Sequence, residues 1–155
     1  MDESATDPVV RAEALFARGV SCAPAVLAAF APGLGLDAET AARLASTFGG
    51  GIAGTGNACG AITGALMAVG LARGPGTAPD AARKADATAE AKALLAAFTA
   101  RHGSIACRDL LGVDLGTPEG RARAAEAGLF RTVCPGLVRS AASLLREARA
   151  AERRG

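Results

Sequence analysis

The sequence predicts an all-α fold, a compact bundle of about six to eight helices joined by short loops. Half of the 155 residues are hydrophobic and only 3% are aromatic. Alanine and leucine dominate, so the helix propensity is high nearly everywhere, and strand-like runs are missing. Apolar residues recur at helical spacing between proline and glycine breaks. We expect one helical four-cysteine domain over residues 1–155, with frayed ends at 1–7 and 153–155.

Capping residues and prolines predict where the first helices begin. Asp7 and Pro8 suit the start of helix one, and Pro24 predicts a break before a second helix, AVLAAF, that ends near residues 32–33. Asp37 is expected to cap a third helix, AETAARLASTF, which runs into the glycines at 49–51. The core-facing residues expected in the first and third helices are Val9, Ala12, Phe16, Val20, Ala41, Leu44 and Phe48.

Asn57 is expected to cap a buried helix over residues 58–73, closed by the Gly-Pro-Gly loop at 74–76. Within it, Gly60, Gly64 and Ala68 form a ridge of small residues, which allows another helix to approach closely.

The C-terminal half contains four further predicted helices. Asp80 begins a long helix to about residue 101, with its core side at residues 94, 95 and 98, and Gly103 ends it. Ser104 is expected to cap a short helix, IACRDLL, and Thr117 begins another that extends to residue 127. The last runs from about residue 135 to 152, and its apolar stripe is Leu137, Val138, Ala141, Leu144 and Leu145.

Charge and hydropathy exclude several classes of function. The net charge is +2 and arginines are dispersed among acidic residues, so neither a nucleic-acid-binding stripe nor a basic membrane-binding face is indicated. The beginning, MDESATDPVV, lacks the features of a secretory signal. The most apolar stretch, residues 58–72, is shorter than the ~20 residues that span a bilayer. We therefore expect a cytoplasmic protein without membrane insertion, in which reducing conditions disfavour structural disulfides.

Each of the four cysteines lies at a predicted helix start. Cys59 would be the second helical residue after Asn57, and Cys107 the third after Ser104. Cys134 precedes a proline and can itself cap a helix, and Cys22 lies just before Pro24. Helix N-termini favour thiolate over thiol and lower a cysteine pKa. Thiolates bind metals and act as nucleophiles, so the sequence predicts one site from four convergent thiols, with glycines such as Gly60 allowing close backbone approach.

Other interpretations of the same residues stay open. The cysteines could simply pack in an alanine-rich core. The positions 22, 59, 107 and 134 exclude the local C-x2-C patterns of zinc and ferredoxin sites, so a shared site must be assembled by the fold. A phosphate loop at GGGIAGTGNACG is disfavoured, because no Lys-Ser/Thr follows and no strand precedes it. His102, the only histidine, could cap a helix C-terminus or act near the thiols as a ligand or proton donor.

CGAITG at residues 59–64 resembles the motif of the four-cysteine C_GCAxxG_C_C family, although the family label places glycine before cysteine and Gly60 follows Cys59 here. HGSIACRDLLGVDL and TPEGRARAAEAGLFRTVCPGLV resemble further blocks of that family, and the resemblance spans about residues 9–145. It implies a small, helical, cytosolic bacterial protein that is redox-active, with Cys22, Cys59, Cys107 and Cys134 as its functional residues. The cysteine domain is also similar to the non-haem portion of split-Soret cytochromes, for which an iron–sulfur site has been inferred. No C-x-x-C-H motif is present, so haem does not carry over.

Three hypotheses follow. The first is an iron–sulfur or other thiolate-bound metal centre, best described as a [2Fe–2S] cluster held by the four cysteines for electron transfer or sensing, with Gly60, Asn57 and Ser104 as supporting cofactor-binding residues. The second is a metal-free dithiol/disulfide protein, in which a pair such as Cys22 and Cys59 cycles with a redox partner. The third is a helical interaction module whose cysteines pack or bind structural zinc. A homodimer is expected only because two-fold dimers are the commonest oligomers.

Overall fold

The fold is described by a computed structural model over residues 6–155. Within that range there are eight helices of five residues or more, one further helical turn and no strand, which confirms the predicted all-α fold. The helices are α1 (Pro8–Ala17), α2 (Cys22–Phe30), α3 (Ala38–Ala45), α4 (Gly60–Arg73), α5 (Ala81–His102), α6 (Cys107–Leu111), α7 (Pro118–Glu126), the turn α8 (Leu129–Thr132) and α9 (Cys134–Glu152). A 3-10 helix, Ala31–Leu34, continues α2. Of the ends predicted to fray, residues 1–5 lie outside the described residues.

Four predicted caps are confirmed by side-chain hydrogen bonds. The carboxylates of Asp7, Asp37 and Asp80 accept backbone N–H bonds at 2.8, 2.8 and 3.0 Å at the starts of α1, α3 and α5. The Thr117 hydroxyl accepts the Gly120 N–H at 3.0 Å at the start of α7. Because these bonds join residues two or three apart, the local sequence is enough to predict them.

Three details of the predicted N-terminal helices are wrong. Pro24 does not precede α2 but is its third residue, where the absent N–H costs nothing because the first amides of a helix have no intrahelical partner. The third helix ends at Ala45 rather than at the glycines, so Leu44 lies near its exposed end and is 61% exposed instead of facing the core. α1 ends at Ala17, before Val20.

The main core surrounds α2, in which every residue from Ala23 to Phe30 is buried. α1, α3, α4 and α9 pack around it, and α5 closes the far side against α4 and α9. Small residues make this close packing possible: a Cβ atom added at Gly64 would lie 2.5 Å from the Ala23 carbonyl oxygen. The predicted ridge on α4 therefore faces α2.

Residues 104–133, which we call the α6–α8 unit, contain a second and smaller hydrophobic cluster. Its buried members are Cys107, Leu111, Leu115 and Ala124, with Val113, Leu129, Val133 and Cys134 packed against them. The chain enters the unit at Gly103, whose left-handed backbone (φ +83°) ends α5, and leaves it where α9 begins. The molecule thus has two packing centres, and the boundary between them passes through the cysteines.

No helix in the described range 6–155 is long and apolar enough to cross a membrane.

Candidate functional site

The four cysteines all lie at helix N-termini, as the sequence predicts. Cys22, Cys107 and Cys134 are the first residues of α2, α6 and α9. Cys59 is the N-cap residue of α4. Cys59, Cys107 and Cys134 lie one or two positions from their predicted places, whereas Cys22, expected before the helix AVLAAF, is itself the first residue of α2.

The same four side chains line one cavity of about 350 Å³ between the main core and the α6–α8 unit. All four are free thiols; Cys59 and Cys107 are buried, and Cys22 and Cys134 are half-buried. Most of the remaining lining is apolar, from Phe16, Val20, Leu111, Leu115, Phe130 and Leu137. The structure therefore brings together the four residues that the sequence predicted to converge.

Two of the thiols belong to each packing centre. Cys59 is part of the main core and Cys22 packs against it. Cys107 belongs to the core of the α6–α8 unit and Cys134 packs against that cluster. The four-thiol site is thus complete only where the two centres meet.

An antiparallel backbone bridge between Ala58 and Ala106 joins the two centres. The Cys59 N–H donates to the Ile105 carbonyl at 2.7 Å, and the Cys107 N–H donates to the Asn57 carbonyl at 2.6 Å. Both amides next to the thiols are fixed in this way, so the bridge sets the relative position of Cys59 and Cys107.

The glycine-rich stretch before α4 is a tight loop that wraps around Cys107. Gly50, Gly51, Gly54 and Gly56 have positive φ, as do Ile52 and Ala53 between them. A Cβ atom at Gly51 would lie 2.7 Å from the Cys107 Cβ atom and 2.6 Å from the Asn57 nitrogen. The loop follows helix α3 rather than a strand, so it does not form the strand–loop–helix arrangement of a nucleotide-binding fold.

The absence of a side chain at Gly60 leaves room for the Cys22 sulfur in the site. A Cβ atom at this position would lie 2.7 Å from the Cys22 sulfur and 3.1 Å from both the Ala23 nitrogen and the Phe48 carbonyl oxygen. Glycine at the start of α4 is therefore required for the close approach of the Cys22 thiol, which agrees with the predicted role of the glycines around Cys59.

The pKa values of three thiols shift in the direction opposite to the one predicted. Burial raises the pKa of Cys59 to about 12, with a further rise from the neighbouring Cys22, although the Ala61 and Ile62 amides act against it. Burial and Cys22 raise the pKa of Cys107 to about 11. For Cys134, burial and the thiols of Cys22 and Cys107 raise the pKa to about 12. Removal from water therefore outweighs the helix N-terminus at each of these sites.

Two of the supporting residues predicted from the sequence lie outside the cavity lining, whereas Gly60 is part of it. Asn57 does not cap α4, because Cys59 takes the N-cap position; the Asn57 side-chain amide instead donates to the Thr55 hydroxyl at 2.8 Å. Ser104 is not the N-cap of α6 either, since Ala106 takes that position. The Ser104 hydroxyl accepts the Ala106 N–H and donates to the Asp109 carboxylate, and these two bonds order the turn before Cys107.

His102 is the last residue of α5 and does not line the cavity. Its Nε2 atom lies 2.8 Å from the Ser140 hydroxyl, and its ring lies against Phe98 with centroids 4.6 Å apart. Burial lowers its pKa, with a further contribution from Arg101. The histidine therefore joins α5 to α9, away from the thiols.

Sequence reasoning missed Arg108, whose guanidinium reaches the loop before α4, and Phe130, which lines the cavity from α8 and is 41% exposed. Both residues lie inside blocks that resemble the family, but their spacing gave no reason to single them out. In a chain with this many arginines, no local signal distinguishes Arg108.

From residue 6 onward, the structure contains no group of three or more His, Cys, Asp or Glu side chains that could hold a metal ion.

A family model described as "Putative redox-active protein (C_GCAxxG_C_C)" matches residues 20–148. This range includes all four cysteines and most of the chain. Neither the curated proteins nor the solved structures gave a significant match.

Proposed function

Because the chain belongs to the C_GCAxxG_C_C family, we propose that it is a small redox protein whose four cysteines form one functional site. The observation that carries the proposal is that four thiols, distant in sequence and from four different helix starts, line a single apolar cavity. Cysteines that served only as packing residues would have no reason to collect around an open space.

We infer further that the site binds an iron–sulfur cluster, with Cys22, Cys59, Cys107 and Cys134 as its ligands. Four cysteine thiolates are the ordinary ligand set of [2Fe–2S] and [4Fe–4S] clusters. The apolar lining would limit the access of water to such a centre. Bound there, a cluster would supply one-electron transfer, and the chain's own residues would hold it and exclude solvent.

A cluster places looser demands on the positions of its ligands than a single zinc ion does. Tetrahedral zinc with Zn–S bonds of about 2.3 Å places all its sulfurs about 3.8 Å apart. Among residues 6–155, no group of three or more His, Cys, Asp or Glu side chains is arranged to hold a metal ion, so the proposal rests on the shared cavity and on ligand chemistry. A cluster distributes its four ligands over more than one iron, so its ligands need not meet around one point.

The raised thiol pKa values also favour a bound cofactor over free thiolate chemistry. A thiol whose pKa lies near 12 is protonated at neutral pH and is a poor nucleophile. A metal centre binds the deprotonated form and displaces the proton, so it does not need a low pKa in the metal-free protein.

A metal-free dithiol is the second candidate, and one observation favours it. The Cys22 sulfur lies against the backbone at the start of α4, directly beside the residue that follows Cys59. This neighbourhood suits the Cys22–Cys59 pair considered from the sequence. Oxidation of such a pair to a disulfide would transfer two electrons and two protons to a partner.

Anaerobic purification followed by iron, sulfide and visible-absorption analysis tests the proposal. We expect a brown protein with iron and acid-labile sulfide, and loss of both in each single Cys→Ser variant. The matched control is Ser46→Ala, an exposed residue at the end of α3, which should retain the full content. A protein that stays colourless and iron-free after reconstitution with iron and sulfide would overturn the cluster. Reversible loss of two hydrogens between Cys22 and Cys59, seen by mass spectrometry, would then support the dithiol.

A reducing compartment, as expected from the sequence, would keep the four thiols free. The unidentified redox partner and the homodimer stay predictions.

A further inference from the structure

Arg108 directly follows Cys107 and reaches across the boundary between the two packing centres. Its Nε atom donates to the Gly56 carbonyl at 3.1 Å, and its Nη2 atom donates to the Asn57 side-chain oxygen at 3.1 Å. A longer Nη2 contact, at 3.5 Å, reaches the Thr55 carbonyl. All three acceptors lie in the loop before α4, more than fifty positions away in the sequence.

The arrangement differs from an ordinary surface ion pair. Within residues 6–155, no carboxylate lies within ion-pair distance of Arg108, and its acceptors are uncharged oxygens. The planar guanidinium holds its donors in a rigid fork that matches several acceptors at once, whereas a lysine ammonium carries three rotatable donors on a flexible stem. Its backbone N–H also donates to Gly56, at 3.1 Å, so main chain and side chain hold the same loop.

Besides Arg108, backbone contacts hold the α6–α8 unit at this edge, including the close approach of Gly51 to Cys107. The Ala58–Ala106 bridge supplies two backbone hydrogen bonds, and Asp114 lies close to Gly56. The interior of the boundary is a cavity of about 350 Å³, so packing does not fill it. The Arg108 guanidinium is thus the side chain that adds to these backbone contacts at the rim of the cavity.

We propose that Arg108 is a positioning residue of the four-thiol site: by binding the loop at 55–57, its side chain holds Cys107 in the cavity with the other three thiols. The inference rests on the proposed function only in treating the four thiols as one site. The Arg108 side chain does not line the cavity, so it acts on the site through Cys107 and the loop.

The test compares Arg108→Met with a matched control, Arg121→Met. Methionine keeps an apolar stem and removes the guanidinium. Arg121 is also an exposed arginine that donates to a main-chain oxygen, that of Leu115 at 2.9 Å, but this bond lies inside the α6–α8 unit. The two variants thus remove the same type of contact, one across the boundary and one within the unit.

In the reduced, metal-free protein, the readout is the alkylation rate of Cys107 relative to Cys59, followed by mass spectrometry. Loss of hydrogen bonds from a charged donor exposes Cys107 locally, so we expect the ratio to rise about tenfold in Arg108→Met and to stay unchanged in Arg121→Met. A merely destabilising substitution would raise both rates together and leave the ratio constant. An unchanged ratio in Arg108→Met, or an equal rise in Arg121→Met, would overturn the inference.

Iron–sulfur reconstitution of the same variants gives a second readout. We expect Arg108→Met to lose iron faster in air than both the wild type and Arg121→Met. If no variant and no wild-type protein binds iron, the proposed cluster fails, yet the alkylation ratio still decides the role of Arg108.

Discussion

Replacement of Gly60 by alanine tests the packing that places Cys22 in the site. The added Cβ atom would lie 2.7 Å from the Cys22 sulfur, whereas non-bonded heavy atoms prefer about 3.5–4.0 Å. The sulfur must therefore move by about 1 Å. The Ala23 nitrogen and the Phe48 carbonyl oxygen, each at 3.1 Å from the same point, leave little room on either side.

The expected change in the free energy of unfolding combines two opposing terms. Overpacking in a buried region costs about 1–3 kcal/mol. Alanine in place of glycine in a helix returns about 0.5–1 kcal/mol. Gly60→Ala should therefore destabilise the reduced protein by about 1–2 kcal/mol, which lowers the melting temperature by several degrees at about 2–4 °C per kcal/mol.

Gly70→Ala is the matched control in the same helix. Nothing lies within 4 Å of a Cβ atom at that position, so only the helix-propensity term remains and the variant should be stabilised by about 0.5–1 kcal/mol. Urea denaturation of the reduced, metal-free proteins measures both values. Equal stabilities for the two variants would refute the close approach of Cys22 to α4.

A double-mutant cycle with Cys22→Ala tests whether the loss of stability in Gly60→Ala arises from contact with the Cys22 sulfur. Without the sulfur, the penalty of Gly60→Ala should fall by about 1 kcal/mol, because residues in contact do not contribute additively. A penalty of the same size in both backgrounds would contradict the assignment.

Three further predictions rest on other contacts. Gly64→Ala should destabilise the protein by about 2–3 kcal/mol in urea denaturation, because its Cβ atom would lie 2.5 Å from the Ala23 carbonyl oxygen; a stability like that of Gly70→Ala would contradict this. In the reduced metal-free protein, Cys59 should react with iodoacetamide at least about tenfold more slowly than a free cysteine peptide at pH 8, since burial raises its pKa to about 12, and an equal rate would be inconsistent with this burial. Desolvation raises the pKa of Asp7, but the amide of the first helical turn and Arg146 outweigh it and lower the value below 3.8. Its charge thus contributes stability above pH 3.8 that is lost as the pH falls through the folded-state value, so Asp7→Asn should be less stable than wild type at pH 7 and equally stable at low pH by thermal melting.

The parts of the fold that sequence analysis predicts correctly are those fixed by neighbours along the chain. Asp37 caps α3 through an amide three residues away, and Gly103 ends α5 by its own backbone conformation. The prediction that Leu44 faces the core was wrong, because its exposure depends on where α3 ends and on the elements that surround it, and not on its spacing. The helix break predicted at Pro24 was wrong, because a proline can lie in the first turn of a helix as well as before it.

In the candidate site, too, local features were predictable from the sequence and long-range contacts were not. That each cysteine begins a helix follows from local capping and proline signals, so it was predictable within a residue or two. That Cys59 and Cys107 are tied by a backbone bridge depends on a pairing of distant segments, for which the sequence carries no local pattern. The role of Arg108 depends on the same pairing, since its acceptors are defined only once the loop at 55–57 lies beside α6.

The competition between helix ends and burial decides the chemistry of the thiols. A helix N-terminus lowers a cysteine pKa most effectively where water and the amides can both solvate the thiolate. Cys59 has the amides but is nearly inaccessible to water, and its neighbours are other thiols, so a charge there is opposed by both burial and repulsion. Four such sulfurs cannot all be ionised in an apolar cavity without a cation to balance them. The proposed iron–sulfur cluster would supply positively charged iron to offset the four thiolates. Under that proposal, the cysteines at the helix starts would serve as metal ligands rather than as free reactive thiolates.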